Sequence, residues 1–284
     1  MTKSNITEED AIKANIYVHA SLANSGEYNK SPHFLPENQA KVRGILERLV
    51  RDCQERRKVI DFGCGTGFMI HLMHDLFEEV HGVDITQDMM KQVDLSSGNV
   101  ILHESRAENT PFNSDVFDFA TAYSFMDHLS NYQTFLEEAY RVLKKGGVFY
   151  SDLNPNRDFI LAVGQAEKLV NGSLPISTIV NREIKGALHN GQYYQENFGI
   201  DAKLLEKAEP IKTDKKGFSA AEVLETAKEI GFSTVNVEFE WFLGQAKVLH
   251  EQSAEHSDTV EKYLNSTLPI SSHLFKYLRF VLVK

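Results

Sequence analysis

The chain is poor in cysteine: two residues, Cys53 and Cys64, in 284. Neither stands in a metal-type spacing with a second Cys or a His pair, so no metal site is expected and a reducing, cytoplasmic setting fits best. No apolar run approaches the ~20 residues needed to cross a bilayer. The opening MTKSNITEED lacks the apolar core of a signal peptide, so neither a signal peptide nor a membrane span is expected. Positive charge is in deficit: 30 Lys+Arg against 40 Asp+Glu gives a net charge of −10 and a pI near 5.6. A negative surface repels phosphate backbones, so nucleic acid is not an expected partner, with a local basic patch left open. Internal repeats and low-complexity tracts are absent. What remains, 42% hydrophobic and 25% charged, is ordinary globular composition. The length allows one α/β domain with a sizeable insertion.

The richest segment is VIDFGCGTGF, Val59 to Phe68. Val59, Ile60 and Phe62 read as a buried strand. Gly63, Gly65 and Gly67 let the backbone turn sharply and approach a ligand, since a Cβ there would collide. The following helix points its free N–H groups and positive dipole end at the turn. Further on, VHGVD ends a second apolar run at Asp84, where a carboxylate is placed to accept both hydroxyls of a ribose. Turn plus acid marks an adenosine-containing cofactor.

The rest of the chain alternates. Residues 1–35 read as polar and irregular. Pro36 opens a helix with Val42, Ile45, Leu46 and Leu49 on one face. Strands are expected at 58–62, 80–84, 99–103, 116–123 and 148–153. Helices are expected at 67–78, after a Thr86 cap, and at Tyr132–Leu143, with Lys144 and Lys145 in the last turn and Gly146–Gly147 as the stop. From 156 to 217 the rhythm breaks, which predicts an inserted lid or subdomain. It returns with a Ser219-capped helix ended by Gly231, a strand at 232–239, a helix at 245–264 and a final strand at 277–283. The fold class is therefore α/β, a doubly wound, mostly parallel seven-stranded sheet. Residues 1–35 are assigned as a capping segment, 36–155 as the cofactor-binding core, 156–217 as the lid or substrate region, and 218–284 as completion of the sheet.

Four pieces in order, DFGCGTG (Asp61–Gly67), GVD (Gly82–Asp84), RAENTPF (Arg106–Phe112) with FDFATA, and RVLKKGGVFY (Arg141–Tyr150), resemble a class I methyltransferase using S-adenosylmethionine (SAM). Within that family they are similar to the ubiquinone/menaquinone-type, small-molecule branch. The resemblance covers residues 40–155 closely and 217–284 more loosely. It implies SAM as cofactor and S-adenosylhomocysteine (SAH) as product. Asp61 would help hold the methionine amino group. The backbone at Gly63 and Gly65 would pass alongside SAM. Asp84 would bind the ribose, Ile85 would pack on adenine, and Ala107 and Glu108 would lie near the adenine edge. Tyr123 would face the methyl end. Arg106 stands where relatives commonly carry an Asp that receives the adenine amino group; an Arg cannot accept that bond, so the backbone or Glu108 takes over or adenine is held more weakly.

Methyl transfer from a sulfonium is an in-line displacement with an activated leaving group, so positioning supplies most of the catalysis. A neutral amine or a phenol can still need a base. Candidate pocket groups are Tyr28, His33, Tyr123, His128, Tyr193, Tyr194 and Trp241, with Tyr28, His33, His128 and Tyr194 the substrate candidates. Each has an ordinary alternative. His128 reads first as a loop or helix-cap histidine, Tyr28 and His33 equally well as packing groups, and Tyr193–Tyr194 as part of a lid strand. Asp127, Asp152 and Asn154 read as a solvated loop rather than a metal site, and DLNP (Asp152–Pro155) as a turn. No residue is assigned as catalytic. The expected function is methyl transfer from SAM to an O, N or C nucleophile of a small molecule. A protein or RNA methyltransferase, a nicotinamide-dependent oxidoreductase, an inactive SAM-binding homologue and the oligomeric state all stay open.

Overall fold

The computed structural model describes residues 6–26, 28–30, 32–51, 53, 55–169 and 177–284. The strands are β1 (Lys58–Phe62), β2 (Glu79–Asp84), β3 (Val100–Glu104), β4 (Phe117–Tyr123), β5 (Leu143–Pro155), β6 (Thr234–Phe242) and β7 (Phe275–Val283). Among the described residues they form one sheet in the order β3-β2-β1-β4-β5-β7-β6. β1 to β5 pair in parallel, and β7 runs antiparallel to both β5 and β6. The expected seven-stranded, mostly parallel sheet is the one found. β1 and β4 are buried along nearly their whole length because helices cover both faces. The chain builds outward from β1 to β3, then returns to lay β4 on β1's other side. That reversal opens a crevice at the C-terminal ends of β1 and β4, where ligands of such sheets sit.

The N-terminal segment departs from the sequence reading. Glu8–Ser25 is an 18-residue helix, α1, capped by the Thr7 hydroxyl, which accepts from Asp10 N, and ended by Gly26 in the left-handed region. Its buried face is Ala11, Ala14, Asn15, Val18, Leu22 and Ala23. Small residues carry little hydrophobic contrast, so the helical period is faint in sequence. Next come α2 (Pro36–Arg51), α3 (Phe68–Met73, shorter than expected), α4 (Gln87–Met90) and α5 (Tyr132–Val142). Thr86 holds the N-cap position of α4, but its hydroxyl makes no cap bond.

The lysines after α5 are a second correction. α5 stops at Val142, and β5 begins at once. Lys144 pairs with Asp118 at 2.5 Å and Glu55 at 3.0 Å. Phe117 lies opposite Leu143 and Phe119 opposite Val148, so the residues between form a bulge on the strand rather than a helix end.

The inserted region is helical: α6 (Arg157–Leu169), α7 (Thr178–Leu188), α8 (Asn190–Phe198), α9 (Ala202–Ala208) and α10 (Pro210–Asp214). Tyr193 and Tyr194 therefore sit on a helix, not a lid strand. α11 (Ala220–Ile230) is capped by Ser219 and ended by Gly231 at φ +119°. The single helix expected at 245–264 is two, α12 (Gln245–Glu251) and α13 (Ala254–Ser266), because Ser253 starts a new cap. α2 and α3 pack on one face of the sheet through Val42, Leu46, Ile70 and Met73. α5 and α11 pack on the other through Phe135, Leu136, Val223 and Ala227. A separate apolar cluster joins α1 to α9 through Ala14, Val18, Leu22, Leu205 and Ala208.

Candidate functional site

The turn after β1 folds as its glycines require. Gly63, Gly65 and Gly67 have φ of +67°, +52° and +89°, the left-handed region that side chains with a Cβ resist. A Cβ on Gly63 would lie 2.0 Å from the Phe125 ring, and one on Gly65 would lie 3.4 Å from the Tyr28 hydroxyl. Those two glycines face the crevice. Gly67 faces away, and its added Cβ would meet Val93 at 3.0 Å.

A cavity over the turn is lined by Gly63, Gly65, Asp84, Ile85, Ala107 and Glu108, and by Tyr28 and His128. Asp84 is fixed by backbone: Gly65 N donates to one carboxylate oxygen at 2.9 Å and Thr86 N to the other at 2.8 Å. Each oxygen keeps a lone pair for a further donor. Burial raises the Asp84 pKa, and the two N–H groups oppose the rise. Asp61 lies beneath, accepting from the Thr121 hydroxyl at 2.6 Å. Burial pushes it up to about 7, with Thr121 pulling down and the Asp84 charge adding to the rise.

α1 forms the roof. Ala11, Ile12, Asn15 and His19 line the cavity, and the Glu8 and Arg106 side chains meet at its rim as an ion pair. Arg106 also lies 3.6 Å from Glu108. The position that departs from the family pattern thus ties the roof helix to the loop after β3. His19 and Asn15 were missed by sequence reasoning, since nothing marked residues 8–25 as a helix over the site. Burial, with His128 adding, pushes His19 down to about 3. Its Nδ1 and the Ser130 hydroxyl, both in the lining, have no hydrogen-bond partner among the described residues.

Five of the seven candidate pocket groups lie outside this lining. His33 packs between Tyr28, Phe34, Phe68 and Tyr123, and burial pushes it down to about 4. Tyr123 stacks near Phe68 at 4.9 Å, and burial with the Asp152 charge raises its hydroxyl. Tyr194 belongs to the cluster that also packs Tyr28, and burial, then Glu209, pushes it up to about 12. Tyr193 is exposed, and Trp241 donates to Glu183 at 3.3 Å.

The acidic loop reading is corrected. Asp127, Asp152 and Asn154 are buried, not solvated, and DLNP is strand rather than turn. Asp152 is engaged by Arg279 at 2.7 Å and by the Tyr150 hydroxyl, and Asn154 donates to Leu278 O. These partners come from β5 and β7, far apart in sequence, which is why the burial was not legible.

The donor set suits SAM. A backbone-anchored carboxylate with free lone pairs fits a ribose diol. Ile85 and Ala107 offer an apolar slot, and orphaned polar atoms await partners. The free space is about 80 Å³. That is small beside the ~300 Å³ or more common for small-molecule sites, with α1 and Tyr28 close over the turn.

Residues 60–151 match the methyltransferase-domain family. With the fold and the turn geometry, this makes the core a class I SAM-dependent methyltransferase domain. Among relatives, a ubiquinone biosynthesis O-methyltransferase of Paraburkholderia phymatum is 31% identical over 118 residues, 39% of this chain and 51% of that protein. An uncharacterized protein of Methanocaldococcus jannaschii is 27% identical over 210 residues, 74% of this chain and 78% of the other. The chain thus spans about half the length of that ubiquinone enzyme. Among solved structures, a SAM-dependent methyltransferase from Archaeoglobus fulgidus shares the fold with a TM-score of 0.50 at 17% identity, covering 89% of this chain and all of the other (100%).

Proposed function

We propose that this chain moves the methyl group of SAM to an O, N or C nucleophile of a small molecule. The observation that carries the reading is the roof: α1 and Tyr28 close over the glycine turn, and His128 ties the pocket to the inserted helices by donating from Nδ1 to Ala208 O at 2.8 Å. A protein or RNA acceptor needs an open approach, and the net charge of −10 repels RNA. SAM, when bound, supplies a methyl group already activated on a sulfonium. The chain's residues do the rest. Asp84 holds the ribose hydroxyls, Ile85 and Ala107 flank adenine, and Asp61 attracts the methionine ammonium. Tyr28 and α1 exclude water. Holding the acceptor in line behind the methyl contributes ~7–11 kcal/mol. No helix among the described residues is long and apolar enough to cross a membrane, and two cysteines suit a reducing, cytoplasmic setting.

Calorimetric titration with SAH and with NAD tests the cofactor. Micromolar SAH binding with no NAD binding is expected, and NAD binding without SAH overturns the reading. Incubation with labelled SAM and separated small-molecule, protein and RNA fractions tests the acceptor. Label confined to protein or RNA overturns the small-molecule assignment.

A further inference from the structure

We propose that Asn15, on the buried face of α1, binds the cofactor: its side-chain oxygen accepts a hydrogen bond from the exocyclic amino group of adenine. This rests on the methyltransferase reading and adds to the cofactor site a residue from the roof.

Asn15 is only 6% exposed and lines the cavity over the glycine turn. The orientation of its amide is fixed. Nδ2 donates to Ala11 O at 3.0 Å and to His128 O at 3.3 Å. Both partners are carbonyl oxygens, which only accept, so the nitrogen and not the oxygen must face them. One N–H is spent on the helix itself and the other on the turn after β4. Oδ1 keeps its lone pairs and accepts from no donor among the described residues. Nor is it walled off. The fully enclosed side-chain atoms without partners include His19 Nδ1 and Ser130 Oγ, and Asn15 Oδ1 is not one of them. An acceptor shielded from bulk water, held rigidly and open to a cavity is preorganised for a donor on a ligand.

The helix supports the same assignment. Ala11, Asn15 and His19 recur at four-residue steps and so share one face of α1. All of them line the cavity. A face that served only for packing would gain more from apolar side chains, since an unpaired buried acceptor costs free energy.

A count of donors and acceptors selects the group on the ligand. The donors of SAM are the ribose diol, the methionine ammonium and the adenine amino group. Asp84 offers a free lone pair on each oxygen to the diol. Asp61 attracts the ammonium. The amino group remains. Arg106 stands where the family pattern has an accepting Asp, and a guanidinium only donates. Arg106 pairs with Glu8 and lies 3.6 Å from Glu108, so the acids at that rim face a cation. Asn15 Oδ1 is a lining acceptor that no described donor claims. It is also uncharged, so it can serve a neutral amino group without burying another carboxylate.

The test is calorimetric titration of the full chain with SAH and with the SAH analogue that carries hydrogen in place of the adenine amino group. The unmodified chain is expected to prefer SAH. Asn15→Ala is expected to weaken SAH about fivefold or more and to leave the analogue within twofold, as the loss of one neutral hydrogen bond requires. Asn15→Ser is a second variant. Its hydroxyl can still donate to Ala11 O, so α1 keeps a local bond while Oδ1 is gone, and the same split is expected. Equal weakening of both ligands makes Asn15 a packing residue and overturns the proposal. Unchanged SAH affinity in both variants overturns it, as does an unmodified chain with no preference between the ligands. A preference erased by Glu108→Gln but kept in both Asn15 variants gives the amino group to Glu108 and overturns it too. Absence of SAH binding by the unmodified chain defeats the methyltransferase reading instead.

Discussion

The sheet and its roof solve the same problem, holding a charged group out of water, by different means. On the sheet, Asp84 is satisfied by backbone N–H groups of the turns after β1 and β2. Under the roof, Glu209 is balanced by the side chains of Lys212 and Asn190. Backbone donors are set by main-chain path and do not depend on side-chain identity. Side-chain partners can be exchanged singly. The contrast teaches where tolerance lies: the glycine-turn end is fixed by the fold, and the roof can be retuned by substitution.

Breaking the rigid half gives the largest effect. Gly63→Ala places a methyl group inside the Phe125 ring contact and demands a left-handed alanine. Overpacking and backbone strain together cost about 2–4 kcal/mol. Urea denaturation is expected to show that loss, and calorimetry to show no SAH binding. Next, Asp84→Ala removes the proposed ribose anchor. At about 1.5–3 kcal/mol for bonds to a charged group, SAH affinity falls roughly 10- to 100-fold; unchanged affinity removes Asp84 from the site.

The roof predicts a different response. Leu205→Ala cuts the cluster that joins α9 to α1 and costs about 2–3 kcal/mol. Amide exchange is expected to quicken in α1 and α9 while β1 and β4 stay protected; uniform quickening would make roof and sheet one cooperative unit. pH sharpens the comparison further. With its pKa raised to about 7 in the folded chain, Asp61 holds its proton between its unfolded value and that point, where the unfolded chain has lost it. Its contribution to stability is therefore full below about pH 4 and is lost as pH rises toward 7. In pH-dependent urea melts of the SAH-free protein, Asp61→Asn is expected to flatten that slope. The smallest effect belongs to Arg106→Ala. The Arg106–Glu8 pair is 43% and 54% exposed, and such pairs contribute about 0–1 kcal/mol. SAH affinity is expected to change less than about fivefold; a larger drop would give Arg106 a direct part in binding adenine.

What sequence revealed follows the same division. β1, the glycine turn, Asp84 and the order of strands were legible because parallel core strands are continuous apolar runs and tight turns demand glycine. α1 was not, since Ala11, Ala14 and Asn15 make a helix face with little contrast. The segment after β5 stood out as a break in rhythm, but its helices were not legible, and Tyr194 went to the wrong element. His19 was beyond reach for a further reason: its ring neighbour His128 lies more than a hundred residues away, and its burial comes only with the assembled roof.

α1 is a shared wall. One stretch of it lines the cavity over the glycine turn, and another packs on α9. Occupancy of that cavity is thereby linked through one helix to the helices that follow β5. By thermodynamic reciprocity, whatever factor a seated cofactor adds to acceptor affinity, the acceptor returns to the cofactor.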